Sequence, residues 1–397
     1  MSLKVLHIIP AISPSYGGPT TAVLEICRAL IAKGVEAEIA TTNADEHQNL
    51  DIRLGEKIKH QDISTIFFPR SVRTKYAFSW PLTHWIKKNI KNYDLVHIHY
   101  IFCYPTLVAA HYARKFGIPY VVSPVGMLGE WPMEQKFFKK IIYLNLIEKR
   151  NLKGAAAIHY TSEIEKNASE GFNVSSLPVI IPLGINLNYI KPDIPKGEFR
   201  KKYTQYADKK LIVFLSRIHP KKGLELLIEA LSKLLKTRND FILIIAGNGE
   251  PYYESILKKH IRDSHLDSCT IFTGFLEGKD KYTLLQDADI FVLPSYQENF
   301  GFAVVEAMSM GVPVIVSDQV DICREIEQFE AGKVVPCDAL PLAVAIQDLL
   351  DDEEQRLNMG ENGKRLVSEK FNQEKMADKL IDLYESTLRK SKSVGSL

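Results

Sequence analysis

The chain has 397 residues, of which 46% are hydrophobic and 25% charged; this is too long for one ordinary core and suits two soluble domains. A net charge of +2 excludes nucleic-acid binding by bulk electrostatics, although residues 1–188 carry 21 Lys and Arg against 15 Asp and Glu and the remainder carries the opposite excess. The five cysteines, Cys27, Cys103, Cys269, Cys323 and Cys337, include no CxxC pair, which argues for a reducing compartment and against a disulfide framework or a cysteine zinc site.

The opening apolar stretch 3–10 is short and broken by His7 and Pro10, so it reads as a strand rather than a signal peptide. No window approaches the ~18 apolar residues of a membrane span, and a cytosolic protein is expected. Residues 5–9 predict the first strand, 13–19 a glycine loop, 20–33 an amphipathic helix and 36–41 the next strand. Further strands are predicted at 65–68, 95–99, 120–123, 156–160 and 179–182, with helical segments between them. Residues 183–195, with Gly184, Pro192 and Pro195, read as a linker. A second series follows, with strands at 211–216, 241–246, 270–273, 290–294, 314–317 and 333–335 and helices at 224–236, 250–264, 279–287 and 302–310. These strands are rich in Ile, Val and Phe without alternation, as expected when both faces are buried. The expected fold is α/β: two doubly wound domains, 1–188 and 189–372, with ligands at the carboxyl ends of the strands, followed by a helix and tail over 373–397.

The segment most informative about chemistry follows the strand at 290–294. Glu298 lies in a loop, Gly301 permits close backbone approach, and Glu306 lies about two turns into the next helix. Amides from Asn299 through Phe300 and Gly301 to Phe302 lack intrahelical partners and can hold a phosphate or sugar oxygen. A second segment places Arg217, Lys221 and Lys222 between a buried strand and a helix, which makes a diphosphate site; His219 and Lys221 read as surface residues beside Arg217 and Lys222. Gly247 and Asn248 form another glycine turn from strand to helix. Tyr16, Gly17 and Gly18 follow the first strand but do not form the GxGxxG fingerprint, which disfavours a nicotinamide dehydrogenase. Asp287 and Asp289 fit a DxD metal pattern yet lead straight into a buried strand, and no His/Cys cluster has ligand spacing, so no metal and no cofactor are expected.

These motifs, in this order, resemble the family-4 retaining glycosyltransferases, which have the GT-B fold of two Rossmann-like domains facing across a cleft. The likeness spans nearly the whole chain. It implies that Glu298 contacts donor-sugar hydroxyls and that Glu306 contacts the nucleotide ribose. It assigns Arg217 and Lys222 to the diphosphate, with Gly247 and Asn248 bordering the nucleotide and Phe275 or Leu276 packing on the base. Gly17 and Gly18 would approach the donor phosphate, with Tyr16, His99 and Val125 on the acceptor side. The stretch Ser123 to Trp131 departs from the family at Val125, where a histidine is common; a valine can neither donate a hydrogen bond nor supply a proton. By the resemblance, the helix after residue 373 crosses back to the first domain.

The expected reaction is hexose transfer from a nucleotide-diphosphate sugar, UDP-glucose by default, to a glycan or lipid-linked saccharide in polysaccharide synthesis. Glu298, Arg217 and Lys222 would be the catalytic groups, with retention of configuration and no metal. A GT-B sugar-nucleotide epimerase and a non-catalytic sugar-nucleotide-binding protein remain open alternatives. Phe137, Phe138, Ile141, Ile142 and Leu146 mix with Lys136, Lys139, Lys140, Lys149 and Arg150, a pattern that fits either peripheral contact with an anionic membrane or a core helix with a basic outer face.

Overall fold

The computed structural model describes residues 2–46, 48–74, 76–129, 133, 137–172, 176–187 and 194–394. Glu130, Trp131, Lys136 and Pro192 lie outside the described residues. The chain divides into two compact units, Met1–Gly184 with Gln373–Leu397, and Ile185–Asn372.

The first unit contains β1 (Lys4–Ile8), β2 (Glu36–Thr42), β3 (Ala44–Asp45), β4 (Gln48–Asn49), β5 (Lys57–His60), β6 (Ile63–Phe68), β7 (Leu95–His99), β8 (Tyr120–Ser123), β9 (Ala157–Tyr160) and β10 (Leu177–Ile180). Eight of them form one sheet in the order β10-β9-β8-β7-β1-β2-β6-β5, parallel except where β5 runs against β6, while β3 and β4 make a separate hairpin. β7 and β8 are buried along their whole length, because helices such as Gly18–Ala32 and Tyr104–Phe116 cover the sheet. Each large aliphatic side chain buried in this way stabilises the unit by about 1.5–3 kcal/mol. The final helix Gln373–Val394 packs on Gly18–Ala32 and buries Tyr384 in the first unit.

The second unit contains β11 (Lys210–Leu215), β12 (Phe241–Ala246), β13 (Thr270–Gly274), β14 (Ile290–Leu293), β15 (Val314–Ser317) and β16 (Gly332–Val335). All pair in parallel, in the order β13-β12-β11-β14-β15-β16. Counted along the chain this is strand order 3-2-1-4-5-6, the doubly wound arrangement of dinucleotide-binding folds. Asp287 and Asp289 serve this architecture. Asp287 accepts from the main-chain N–H groups of Gly197, Phe199 and Arg200, and Asp289 pairs with Arg200 at 2.8 Å.

Candidate functional site

The second sheet reverses its winding between β11 and β14, and a crevice opens at the carboxyl ends of strands flanking such a point. β11 leads into the loop from Ser216 to Gly223, and β14 into the loop from Pro294 to Gly301. Gly223 has φ +65°, and a Cβ there would stand 2.0 Å from the Pro294 carbonyl oxygen, so only glycine lets the two loops come this close. The Tyr296 N–H donates to the Lys221 carbonyl at 2.8 Å. Across this seam the Lys222 ammonium pairs with the Glu298 carboxylate, their side chains 12% and 16% exposed. Glu298 is also fixed through its backbone. Its N–H donates to the Gln319 carbonyl at 3.0 Å, and its carbonyl accepts from the Asp321 N–H at 2.9 Å.

Burial alone would raise the pKa of Glu298, but Lys222, then Lys221 and Arg217, outweigh it and hold the carboxyl below its ordinary value. Lys221 is lowered to about 8, first by burial, with Lys222 and Arg217 adding to the shift and Glu298 opposing it. Lys221 is therefore not the surface residue expected from sequence: it is half-buried within the charge cluster. Three cations against the carboxylates of Glu298 and, next to Lys221, Asp321 leave a positive surplus suited to an anion. The exposed Arg217 sits at the mouth of the loop, and the Ile218 N–H donates to the Asn248 carbonyl at 2.8 Å, bringing the β12 exit alongside. Gly247 in turn donates to the Gly274 carbonyl at 2.8 Å, which brings the β13 exit with Phe275 and Leu276 to the same edge. Phe275 is 61% exposed, a large apolar face available to stack on a flat ring.

The helix Phe302–Ser309 starts from Gly301, which has φ +76°. The Phe300 ring is buried against Phe302 and Phe371, at ring-centre distances of 5.0 and 5.3 Å, so Phe300 has only its backbone to offer a ligand. Asn299 is half-buried in the same turn. Glu306 points from this helix to Lys281, whose ammonium lies 2.7 Å away on the helix Gly278–Asp287. Lys281 was missed from sequence. Nothing in the spacing of residues 25 apart marks the pair, which exists only once the fold brings the two side chains within ion-pair distance.

In the first unit, Gly17 (φ +66°) and Gly18 open the helix Gly18–Ala32 at the carboxyl end of β1. Their loop is anchored by the β3–β4 hairpin. Ser13 and Ser15 hydroxyls each donate to Asp45 at 2.6 Å, and the Tyr16 hydroxyl accepts from the Glu46 N–H at 3.0 Å. Val125 has φ +56°, a strained conformation for a β-branched residue. The buried Glu165 carboxylate holds the turn by accepting from the Gly126 N–H at 2.6 Å and the Thr161 N–H at 2.8 Å. Tyr100 and Phe102, at the neighbouring β7 exit, are also left-handed. His99 is buried and shares a 3.0 Å hydrogen bond with His7. Its ring centre lies 4.1 Å from that of His97, which belongs to a separate buried relay: His97 contacts the Tyr384 hydroxyl at 2.7 Å and Ser123 at 2.8 Å, and Ser123 contacts His159 at 2.8 Å. Burial lowers the pKa of all four rings, that of His7 to about 3 and that of His159 to about 4. The nitrogens of His7, His97 and His99 cluster within 4.8 Å, but both of His97's are engaged in the relay.

The family model for glycosyl transferases group 1 matches residues 195–366, and that for the glycosyl transferase 4-like domain matches residues 17–184. The chain is 26% identical over 385 residues to an uncharacterised glycosyltransferase of Methanocaldococcus jannaschii, covering 91% of this chain and 92% of that protein. It is 25% identical over 409 residues to the GDP-mannose-dependent monoacylated alpha-(1-6)-phosphatidylinositol monomannoside mannosyltransferase of Corynebacterium glutamicum, covering 98% and 99%. The structure of Anabaena HepE in complex with UDP and glucose matches with a TM-score of 0.78 at 19% identity, over 97% of this chain and 100% of that one; the likeness is one of fold.

Proposed function

This chain belongs to the group 1 glycosyltransferases, enzymes of the family-4 kind with the GT-B fold of two Rossmann-like domains, and from that premise we propose that it moves a hexose from UDP-glucose, with retention, to a glycan or lipid-linked saccharide in polysaccharide synthesis. The observation that carries the reading is the cluster of Arg217, Lys221 and Lys222 around Glu298 at the switch point of the second sheet. Its positive surplus matches the diphosphate of a sugar nucleotide, and it grows in value as the bond from the anomeric carbon to the phosphate oxygen breaks. The electron pair of that bond leaves with the diphosphate. The acceptor oxygen forms the new bond on the same face, and its proton passes to the departing phosphate oxygen. Fixed cations supply the charge that a divalent ion would otherwise bring.

Within this reading Glu298, tied down by its backbone and by Lys222, orients the sugar hydroxyls, and Glu306 accepts from the ribose. The amides of Asn299, Phe300, Gly301 and Phe302 take phosphate oxygens, and Gly247 and Asn248 border the nucleotide, with Phe275 or Leu276 against the base. Acceptor recognition falls to the first unit, around Tyr16, Gly17, Gly18 and Val125. The buried position of His99 suits a supporting role there better than direct contact. A binding protein without turnover is the second reading, favoured by a valine at position 125.

A panel of UDP-, GDP-, dTDP- and ADP-sugars screened by thermal shift, followed by nucleotide release with saccharide acceptors, tests the proposal. UDP-glucose should stabilise the chain, and acceptor should trigger UDP release in the presence of a chelator. Binding without release across acceptors supports the second reading, and absence of any sugar-nucleotide shift defeats both.

A further inference from the structure

The second sheet ends at β16, which pairs with β15 on one side only. The Val335 carbonyl accepts from the Asp318 N–H at 2.9 Å on the β15 side, so strand alternation turns the N–H and C=O groups of Gly332 and Val334 towards the open edge. A groove of about 960 Å³ follows that edge. One bank is the helix Ala339–Asp351, joined to the strand by Lys333, whose ammonium lies 2.6 Å from Asp348. The other bank, on the opposite face of the sheet, is the end of the helix Cys323–Gln328 with the helix Glu353–Lys370, where Asn362 donates to the Glu330 carbonyl at 3.2 Å. Leu340 and Val344 line the first bank, 62% and 51% exposed. Gln355 lines the second, and its Oε1 has no hydrogen-bond partner among the described residues. Turning one side-chain torsion offers that acceptor to a donor in the groove.

Charge decides what fits there. Glu327, Glu330, Asp348, Asp352 and Glu354 are exposed around the groove. Among the described residues lining it, Lys333 is the only cation, and Asp348 already holds it. Acids facing acids repel a second copy of the same edge, while a rim that merely guarded the strand would have no use for Leu340 and Val344 in water. The open main-chain groups suit an extended chain, whose side chains alternate between the two faces. Cations turned to Glu327 and Glu330 then leave apolar residues for Leu340 and Val344. β15 separates this edge from β14 and the donor crevice.

We propose that β16 takes up an extended, basic peptide segment of a partner protein as a further strand of the second sheet, with its cations among the groove acids and its apolar residues on Leu340 and Val344. The probe is a fluorescein-labelled, end-blocked heptapeptide alternating lysine and valine, titrated with the full chain at low salt and followed by anisotropy. It should bind, and the counterpart alternating glutamate and valine should bind about tenfold more weakly or not at all. Methylating alternate backbone nitrogens keeps the charge and the apolar face but removes strand donors, and should also weaken binding about tenfold. Val344→Lys, at an exposed helix position, should do the same while its thermal midpoint shows a folded chain. Bound peptide should slow hydrogen exchange at the amides of Gly332 and Val334. Absence of binding by the lysine peptide, equal binding by folded Val344→Lys, or equal binding of the methylated peptide overturns the proposal. A wild-type dimer that Val344→Lys dissociates overturns it too, because the groove then holds a second copy. If the peptide binds while no sugar nucleotide does, the edge site stands and the donor reading falls.

Discussion

Lys221 offers the sharpest test of the charge cluster. Its ammonium titrates near pH 8 rather than at the ordinary 10.5, because burial and two neighbouring cations outweigh the attraction of Glu298. Only the protonated form helps to hold a diphosphate. The apparent affinity for UDP-glucose therefore scales with the protonated fraction. With a pKa of about 8, that fraction is about 0.9 at pH 7 and about 0.1 at pH 9, so affinity should fall about tenfold between them. Binding near pH 8 should also take up close to half a proton, visible in calorimetry as a heat that varies with the ionisation enthalpy of the buffer. Lys221→Arg should abolish the pH dependence, since a guanidinium stays charged throughout; Lys221→Met should abolish it at a uniformly weaker affinity. The sign for the unliganded chain is opposite. The folded state has released a proton that the unfolded state keeps, so this residue makes stability rise with pH between about 8 and 10.5. Equal pH slopes for wild type and Lys221→Arg would refute the placement of Lys221 beside the bound diphosphate.

Lys222→Ala and Glu298→Ala should each reduce turnover by about 100-fold in a nucleotide-release assay, and the double variant should cost less than the product, because the two share one ion pair. Gly223→Ala drives a Cβ to 2.0 Å from the Pro294 oxygen at a left-handed φ, and urea denaturation should show a loss of about 2–4 kcal/mol. Val125→Asn should gain about 1 kcal/mol in the same assay, since asparagine tolerates the left-handed region that strains valine; no gain would remove the argument for strain at the β8 exit.

The second sheet was readable from sequence because a buried parallel strand such as Phe241–Ala246 is an uninterrupted apolar run. Lys57–His60 was not, since it is a four-residue edge strand, half exposed and too short for its alternation to register. The strand expected over 179–182 begins instead at Leu177. Pro178 is tolerated there because β10 lies at the edge of the sheet, where a missing N–H leaves no ladder partner stranded. Arg217, Lys222 and Glu298 stand out in the sequence because each lies just beyond a strand exit, and Glu306 because it follows Glu298 into the next helix. The burial of Lys221 could not, as it follows from the close approach of two loops at Gly223. The histidine cluster was equally hidden: His7 and His97 become neighbours only through the register of β1 with β7, and the hydrogen-bond partner of His97, Tyr384, comes from the last helix.

That last contact sets a schedule for synthesis. The first unit is made from both ends of the polypeptide, with Ile185–Asn372 between its pieces. At about 5–20 residues per second a ribosome needs roughly 10–40 s to translate that insertion. Until then His97 has no phenol to bond, and the apolar face of Gly18–Ala32 has no helix to cover it. The nascent first unit thus waits, incomplete, for the later-made unit to emerge, and a stop codon shortly before Tyr384 would leave that wait permanent.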